Sequence, residues 1–347
     1  MDYNIKMKFS WKTLPKPFFV LAPMEGVTDT VFRQVVGSLA APDVYFTEFT
    51  NCEGMMSKGR EKVGRRLIYS GHEKPLIAQL WGLDPNAFFE VSRMVVEMGF
   101  EGVDLNMGCP VSAVVARGSC SGLIGNPTRA KEMIEATKKG VQSAGWGIPV
   151  SVKTRIGLKS ITTEEWIGFL LEQNLDALTI HLRTQKEMSN VPAHFEELEK
   201  IVALRNKISP NTVLIANGDI MSKSQGKELV EKYGIDGAMI GRGVFHNPFV
   251  FDESVNYVLQ TKDQRIELLK LHIDMFEKVW THDHPLSEKE IAKLFPPLKR
   301  FFKIYISGFE GAAELREKLM STKSIDETKK VLGGLYNISI PEANATN

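Results

Sequence analysis

Cysteine is scarce in this 347-residue chain, with only Cys52, Cys109 and Cys120. Three irregularly spaced thiols build neither a disulfide framework nor a zinc site, so a reducing compartment is expected. No apolar run approaches the roughly 18 residues that a membrane span requires. The first stretch, Met1 to Thr13, mixes charged and aromatic side chains and lacks the apolar centre of a signal peptide. The expectation is a cytoplasmic protein with no membrane partner. An excess of charge is missing too. At a formal net charge of +1, any affinity for nucleic acid has to come from local basic patches. There are no low-complexity segments and no sign of an obligate protein partner. His282-x-His284 lacks further ligands at suitable spacing, so no metal is expected.

What is present is a strand–helix alternation. Short apolar, β-branched runs at Phe18–Ala22, Val44–Thr47, Leu76–Leu80, Gly102–Leu105, Pro149–Lys153, Ala177–Ile180, Val213–Ala216 and Gly237–Ile240 read as strands. Amphipathic segments lie between them, such as Pro85–Met98, Pro127–Ser143, Thr163–Gln173, Phe195–Asn206 and Ser222–Tyr233. Such alternation implies a parallel sheet. Eight units, with polar residues gathered at the strand C-termini, fit a closed (β/α)8 TIM barrel better than an open sheet. A barrel takes about 250 residues, which places it at 1–253 and leaves 254–347 for a smaller all-helical domain. Helices are expected there at Gln264–Trp280, Glu288–Tyr305, Ala312–Met320 and Ile325–Leu332, punctuated by Pro285, Pro296–Pro297 and Gly308. The tail after Ile340 is expected to fray.

Chemistry-bearing residues collect at the strand ends. Asn217-Gly218-Asp219 follows the seventh strand and Gly241-Arg242-Gly243 the eighth, the usual phosphate site of such barrels. Glycine admits an anion close to the backbone, and N–H groups with Arg242 would bind its oxygens. Gln79, Lys153 and His181 stand at or beside strand ends and could line a planar cofactor. Lys153 could equally serve as a Schiff-base nucleophile. Cys109, held between Gly108 and Pro110 just past a strand, sits at the barrel mouth. A thiol with an ordinary value near 8.5 is mostly protonated at neutral pH and can protonate a developing carbanion. Cys52 reads as a small buried hydrophobe. Cys120 is close enough in sequence to share the site.

Six ordered segments carry a resemblance: Leu21–Asp29 (LAPMEGVTD), Asp104–Pro110 (DLNMGCP), Lys153–Gly157 (KTRIG), His181–Thr184 (HLRT), Asn217–Ile220 (NGDI) and Gly241–Gly243 (GRG). In this order they resemble the tRNA-dihydrouridine synthases, over about Phe18 to Leu335. The resemblance implies an FMN enzyme that reduces the C5=C6 bond of uridine in tRNA, ribosomal RNA remaining open as a target, with NADPH or NADH as electron source. It implies that Pro23, Met24, Gln79, Lys153, His181, Asn217, Gly218, Asp219, Gly241 and Arg242 hold FMN. Cys109 would be the proton donor and Asn106 a contact to the uracil, with Arg155 and Arg183 as substrate or phosphate contacts. The helical domain would grip RNA, with Lys289, Lys293, Lys299, Arg300, Lys303 and Arg316 as candidate phosphate contacts. Two stretches depart from the family pattern: Gly118–Gly122 puts the extra thiol of Cys120 near Cys109, and Gln185–Val191 replaces a glycine- and tyrosine-containing segment. A small-molecule flavoprotein of the dihydroorotate dehydrogenase type, also a barrel with strand-end Asn and Cys, is the alternative.

Overall fold

Strands buried on both faces read as unbroken apolar runs, because helices cover the outside of a parallel barrel and side chains fill the inside. The computed structural model, which describes residues 9–145, 147–254 and 261–333, has eight such strands. They are β1 (Phe18–Leu21), β2 (Tyr45–Asn51), β3 (Leu76–Trp81), β4 (Gly102–Met107), β5 (Val150–Arg155), β6 (Ala177–His181), β7 (Val213–Asn217) and β8 (Gly237–Ile240). All are parallel, each pairs with its neighbour in sequence from β2 to β8, and β8 pairs with β1. A Val20–Val44 bridge, backed by the Leu21 N–H on the Val44 carbonyl, joins β1 to the start of β2 and closes the (β/α)8 barrel.

All eight expected strands are found, but most run further toward their C-termini. β2 continues to Asn51, β4 to Met107 and β5 to Arg155. The added residues include polar ones such as Asn106 and Arg155, which a hydrophobic pattern alone excludes. At the other end of the barrel, Trp11 is 1% exposed and packs its ring 6.0 Å from Phe18 and 6.2 Å from Phe46. With Val20, Val44, Ile77, Ala177 and Val213 it fills the interior near the strand starts. A ligand is therefore left the C-terminal mouth.

Helix starts follow local chemistry. Asp84 and Asn126 cap helices that open with Pro85 and Pro127, their side chains accepting from the N–H of Asn86 and Arg129. Ser222 caps Lys223–Tyr233, which ends on Gly234 at φ 73°. Beyond the barrel strands come helices Lys262–Glu277, Glu288–Tyr305, Ala312–Ser321 and Ile325–Gly333. Capping boxes at Thr261/Gln264 and Ser287/Glu290 start the first two. The expectation of one helix through Trp280 is modified, because Lys278–Asp283 widens into a π-helical turn. Pro296 and Pro297 do not interrupt the chain but lie inside helix Glu288–Tyr305.

The chain divides into two compact units, Met1–Asp29 with Pro42–Gly241, and Thr30–Ala41 with Arg242–Asn347. Helix Thr30–Leu39, which the sequence reading did not single out, thus groups with the C-terminal helices. Its Phe32 stacks on Phe301 at 5.3 Å and lies 5.9 Å from Phe245. The boundary expected at 253/254 abuts residues 255–260, which, like the tail after Ile340, lie outside the described residues.

Candidate active site

Strand registers set Gln79 beside Asp104, Asp104 beside Ser151, Asn106 beside Lys153, and Lys153 beside Thr179. Since side chains alternate along a strand, these residues form one polar layer inside the barrel, above the apolar plug. Asp104 is fully buried and accepts from Ser151 Oγ at 2.7 Å and from Gln79 Nε2 at 2.8 Å. Gln79 Oε1 accepts from Asn106 Nδ2 at 3.0 Å. Asn106 Oδ1 accepts the N–H groups of Gly108, at 3.1 Å, and Cys109, at 2.9 Å. Burial lifts the Asp104 carboxyl to about 6, with its two hydrogen bonds and Lys153 working against the rise. Across the layer, Lys153 Nζ donates to Asn217 Oδ1 at 2.9 Å, and Asn217 Nδ2 donates to the Met239 carbonyl. Burial, then repulsion from Arg155, bring the Lys153 ammonium down to about 8. His181 stands partly exposed at the end of β6, opposite Arg155 and Asn217 in register.

Cys109 is half-buried on the loop after β4. Cys120 approaches it from a turn in which Ser121 donates both its N–H and its hydroxyl to the Cys109 carbonyl. The expectation of an ordinary thiol at Cys109 needs correction. The Cys120 thiol beside it, with the Val111 N–H and Arg155, outweighs burial and draws Cys109 down to about 6. The same contact, with burial, pushes Cys120 well above the usual thiol range. Above about pH 6 the pair therefore keeps one proton, held on Cys120. Arg155 is buried and donates through Nε to the Gly108 carbonyl at 2.8 Å and through Nη1 to Thr184 and Met188 carbonyls. It ties the Cys109 loop to the 184–188 segment.

The loop after β7 has a backbone that only glycine fits. Gly218 has φ 116°, and a Cβ there would meet Ala193 Cβ at 3.2 Å, so glycine is required. Arg183, 2% exposed, binds the Val191 carbonyl and pairs with Asp219, while its Nη1 has no hydrogen-bond partner. That nitrogen lies 3.8 Å from where a Gly218 Cβ would sit. Asp219 also accepts the Ala193 N–H, so its carboxylate holds the 191–193 segment. Gly241, just after β8, faces Ala22 and Met24: a Cβ on it would meet Ala22 Cβ at 3.5 Å and Met24 Sδ at 3.8 Å. Pro23 and Met24 enter a turn closed by the Met24 N–H on Thr28 Oγ1 and by the Gly26 N–H on Glu48. Arg242 falls in the second unit, exposed, just before the short helix Gly243–His246.

The profile of the family described as dihydrouridine synthase (Dus) matches residues 20–338. The chain belongs to the dihydrouridine synthase family. It is 50% identical over 324 residues to a "Probable tRNA-dihydrouridine synthase" of Staphylococcus aureus (strain COL), covering 93% of this chain and 94% of that protein. A "Probable tRNA-dihydrouridine synthase 2" of Bacillus subtilis (strain 168) is 46% identical over 324 residues, with 93% and 95% covered.

Dihydrouridine synthases are flavin-dependent oxidoreductases, and the residues of this member fit such a group. A buried Thr179 hydroxyl without a partner stands beside the Lys153 cation, and a partnerless guanidinium nitrogen borders the Gly218 cradle. The barrel mouth thus brings together Gln79, Asn106, Cys109, Lys153, Asn217 and Gly218. Sequence reasoning assigned nothing to Asp104, Ser151 or Thr179. Their signal was a polar residue at an inward-facing, period-two position of a buried strand. It also missed Glu48 in the middle of β2, which burial, Asp29 and Glu25 raise to about 7.

Proposed function

We propose that this dihydrouridine synthase reduces the C5=C6 bond of a uridine in tRNA, in the cytoplasm, with FMN bound at the barrel mouth and NADPH as the source of electrons. The observation that carries the reading is the Cys109 loop, whose N–H groups are tied to Asn106 in the same polar layer that presents Gln79 and Lys153. When bound, the reduced flavin supplies the hydride that adds to C6. Cys109 gives a proton to C5, and that pair of additions saturates the bond. At neutral pH the pair's one proton rests on Cys120, so the proton that reaches C5 passes from Cys120 through Cys109, and solvent then restores it.

Lys153 offers positive charge to the flavin's pyrimidine edge, where it stabilises the anionic reduced form. Gln79, His181, Pro23 and Met24 complete the ring site. Asn217, Gly218, Asp219 and Gly241, together with the free nitrogen of Arg183, would hold the phosphate; Arg242 belongs to the second unit. Asn106 offers an N–H to a uracil carbonyl. Arg155 has spent Nε and Nη1 on three carbonyls, so it serves the substrate pocket by holding the two loops that border it.

A base folded inside an RNA must be extruded before it reaches such a mouth, at a few kcal/mol, and the helical unit supplies phosphate contacts toward that cost. Lys289, Lys293, Arg300 and Lys303 are exposed and fall within about 80° of one another at 3.6 residues per turn, a basic stripe on helix Glu288–Tyr305. Lys299 and Arg316 leave the list of candidates, because they bond the carbonyls of Met320 and Ile306.

The test is site-resolved dihydrouridine mapping of transfer and ribosomal RNA from a strain lacking every dihydrouridine synthase, after treatment with purified protein and NADPH. New dihydrouridine at a defined tRNA position is the expected result. Signal only in ribosomal RNA, or none from protein carrying reducible flavin, would overturn the reading.

A further inference from the structure

A side-chain amide can face either way, and which way decides whether it offers a donor or an acceptor. In the polar layer two amides stand in series between fixed ends. At one end the backbone N–H groups of Gly108 and Cys109 can only donate, so Asn106 must turn its oxygen toward them. Its Nδ2 then faces Gln79, which must present Oε1. Gln79 is left with Nε2 toward Asp104, and an ionised carboxylate can only accept. All three side chains are buried, 5% exposed for Asn106 and 0% for Gln79 and Asp104, so water does not offer either amide an alternative partner.

We propose that Asp104 is a positioning residue of the reduction, the acceptor that orients Gln79 and, through it, Asn106 and the Cys109 loop. The chain runs in one direction, from the loop N–H groups to the carboxylate, and Ser151 holds the far oxygen of Asp104 in place. Each amide nitrogen keeps one N–H beyond the chain. Those two hydrogens are what the layer offers to a ring cofactor and to a pyrimidine, so both ligands meet donors and must answer with carbonyl oxygens or ring nitrogens. A reversed chain would offer them the opposite polarity. The inference rests on reading Cys109 as the proton donor, but the chain's geometry can be tested without turnover.

Asp104→Leu removes the acceptor in which the chain ends. Gln79 Nε2 is then left without a partner, Gln79 is free to turn, and the hold of Asn106 on the two backbone N–H groups loosens. Amide exchange of the flavin-loaded protein, followed by mass spectrometry, should become about tenfold faster in the peptide spanning residues 107–110, the equivalent of one lost hydrogen bond. In steady-state assays on tRNA, kcat should fall about a hundredfold, the scale of a small misplacement of a reacting group, with KM for tRNA nearly unchanged. The decisive variant is the double one, Asp104→Leu with Asn106→Asp. A carboxylate at 106 accepts from both sides, so slow exchange at 107–110 should return although the uracil donor is gone. Simple loss of packing would not be rescued this way. Wild-type exchange and kcat in Asp104→Leu, or no rescue in the double variant, would overturn the proposal. If Asp104→Leu does not fold, Gln79→Met cuts the chain at its middle link, and unchanged exchange at 107–110 in that variant would refute it equally. Failure of uridine reduction by the wild-type protein would overturn the functional reading and leave the exchange result standing.

Discussion

Removing the Cys120 thiol should change how Cys109 ionises while leaving its place in the mouth intact. With the neighbouring thiol present, Cys109 stands at about 6, so at pH 7 about nine-tenths of it is thiolate. In Cys120→Ala the largest lowering influence is gone and the ordinary value near 8.5 applies, which leaves about 3% thiolate at that pH. A single alkylation rate would hide this roughly thirtyfold loss. Thiolate nucleophilicity rises with pKa along a slope of about 0.4–0.5, and 2.5 units restore about tenfold. At pH 7 the two variants should therefore differ only about threefold. The informative assay is the full pH profile of iodoacetamide labelling, resolved at Cys109 by mass spectrometry. Its midpoint should move from near 6 to near 8.5, with a plateau about tenfold higher in Cys120→Ala. Turnover follows the proton: the variant should work at pH 7 but lose activity above about 8.5, whereas the wild-type pair keeps its last proton to higher pH. A labelling midpoint that stays near 6 would show that Cys120 does not set the ionisation of Cys109.

Cys109→Ala should retain its flavin spectrum and lose dihydrouridine formation; normal product on unmodified tRNA would remove the proton-donor role. Charge reversal at Lys293 and Arg300 should raise KM for tRNA and flatten the salt dependence of binding, by a slope of roughly one per lost phosphate contact, with flavin reduction by NADPH unaffected. Unchanged binding would take the stripe out of RNA recognition. His272 is buried against Phe301 and Tyr305 and stands at about 3 through desolvation alone. The unfolded chain binds a proton there below about 6.5 and the folded chain does not, so this histidine costs stability as pH falls from 6.5 toward 3. By pH 4.5 the loss should be about 3 kcal/mol. His272→Phe should show a smaller drop in urea midpoint between pH 7 and 4.5, and equal drops would refute the assignment.

The barrel was readable because its strands are β-branched, short and buried on both faces, and the anion loops because glycine falls after β7 and β8. Helix Thr30–Leu39 was not, since Val31, Val35, Val36 and Gly37 are weak helix formers. Tertiary packing of Val31, Phe32, Val35 and Val36 overrides that preference. Pro296 and Pro297 mislead for the same reason. Each costs a helix about 3 kcal/mol, but burial of Phe295, Leu298, Phe301 and Phe302 returns about 1.5–3 kcal/mol apiece. In the site, Cys109 and Lys153 were visible as residue types at strand ends. What they became was not, because the lowering at Cys109 comes from a turn eleven positions on, and the orientation of Asn106 from a carboxylate reached through Gln79.

Because helix Thr30–Leu39 groups with the C-terminal helices, the two units are interleaved along the chain rather than strung end to end. A ribosome releases that helix more than two hundred residues before Phe301, on which its Phe32 stacks, so its apolar face waits uncovered until synthesis is nearly complete. A fragment cut at residue 253 would carry the same bare face permanently. Exchanging the helical region between relatives to alter RNA preference therefore means transplanting residues 30–41 along with it, and a graft that leaves them behind would assemble mismatched halves of one core.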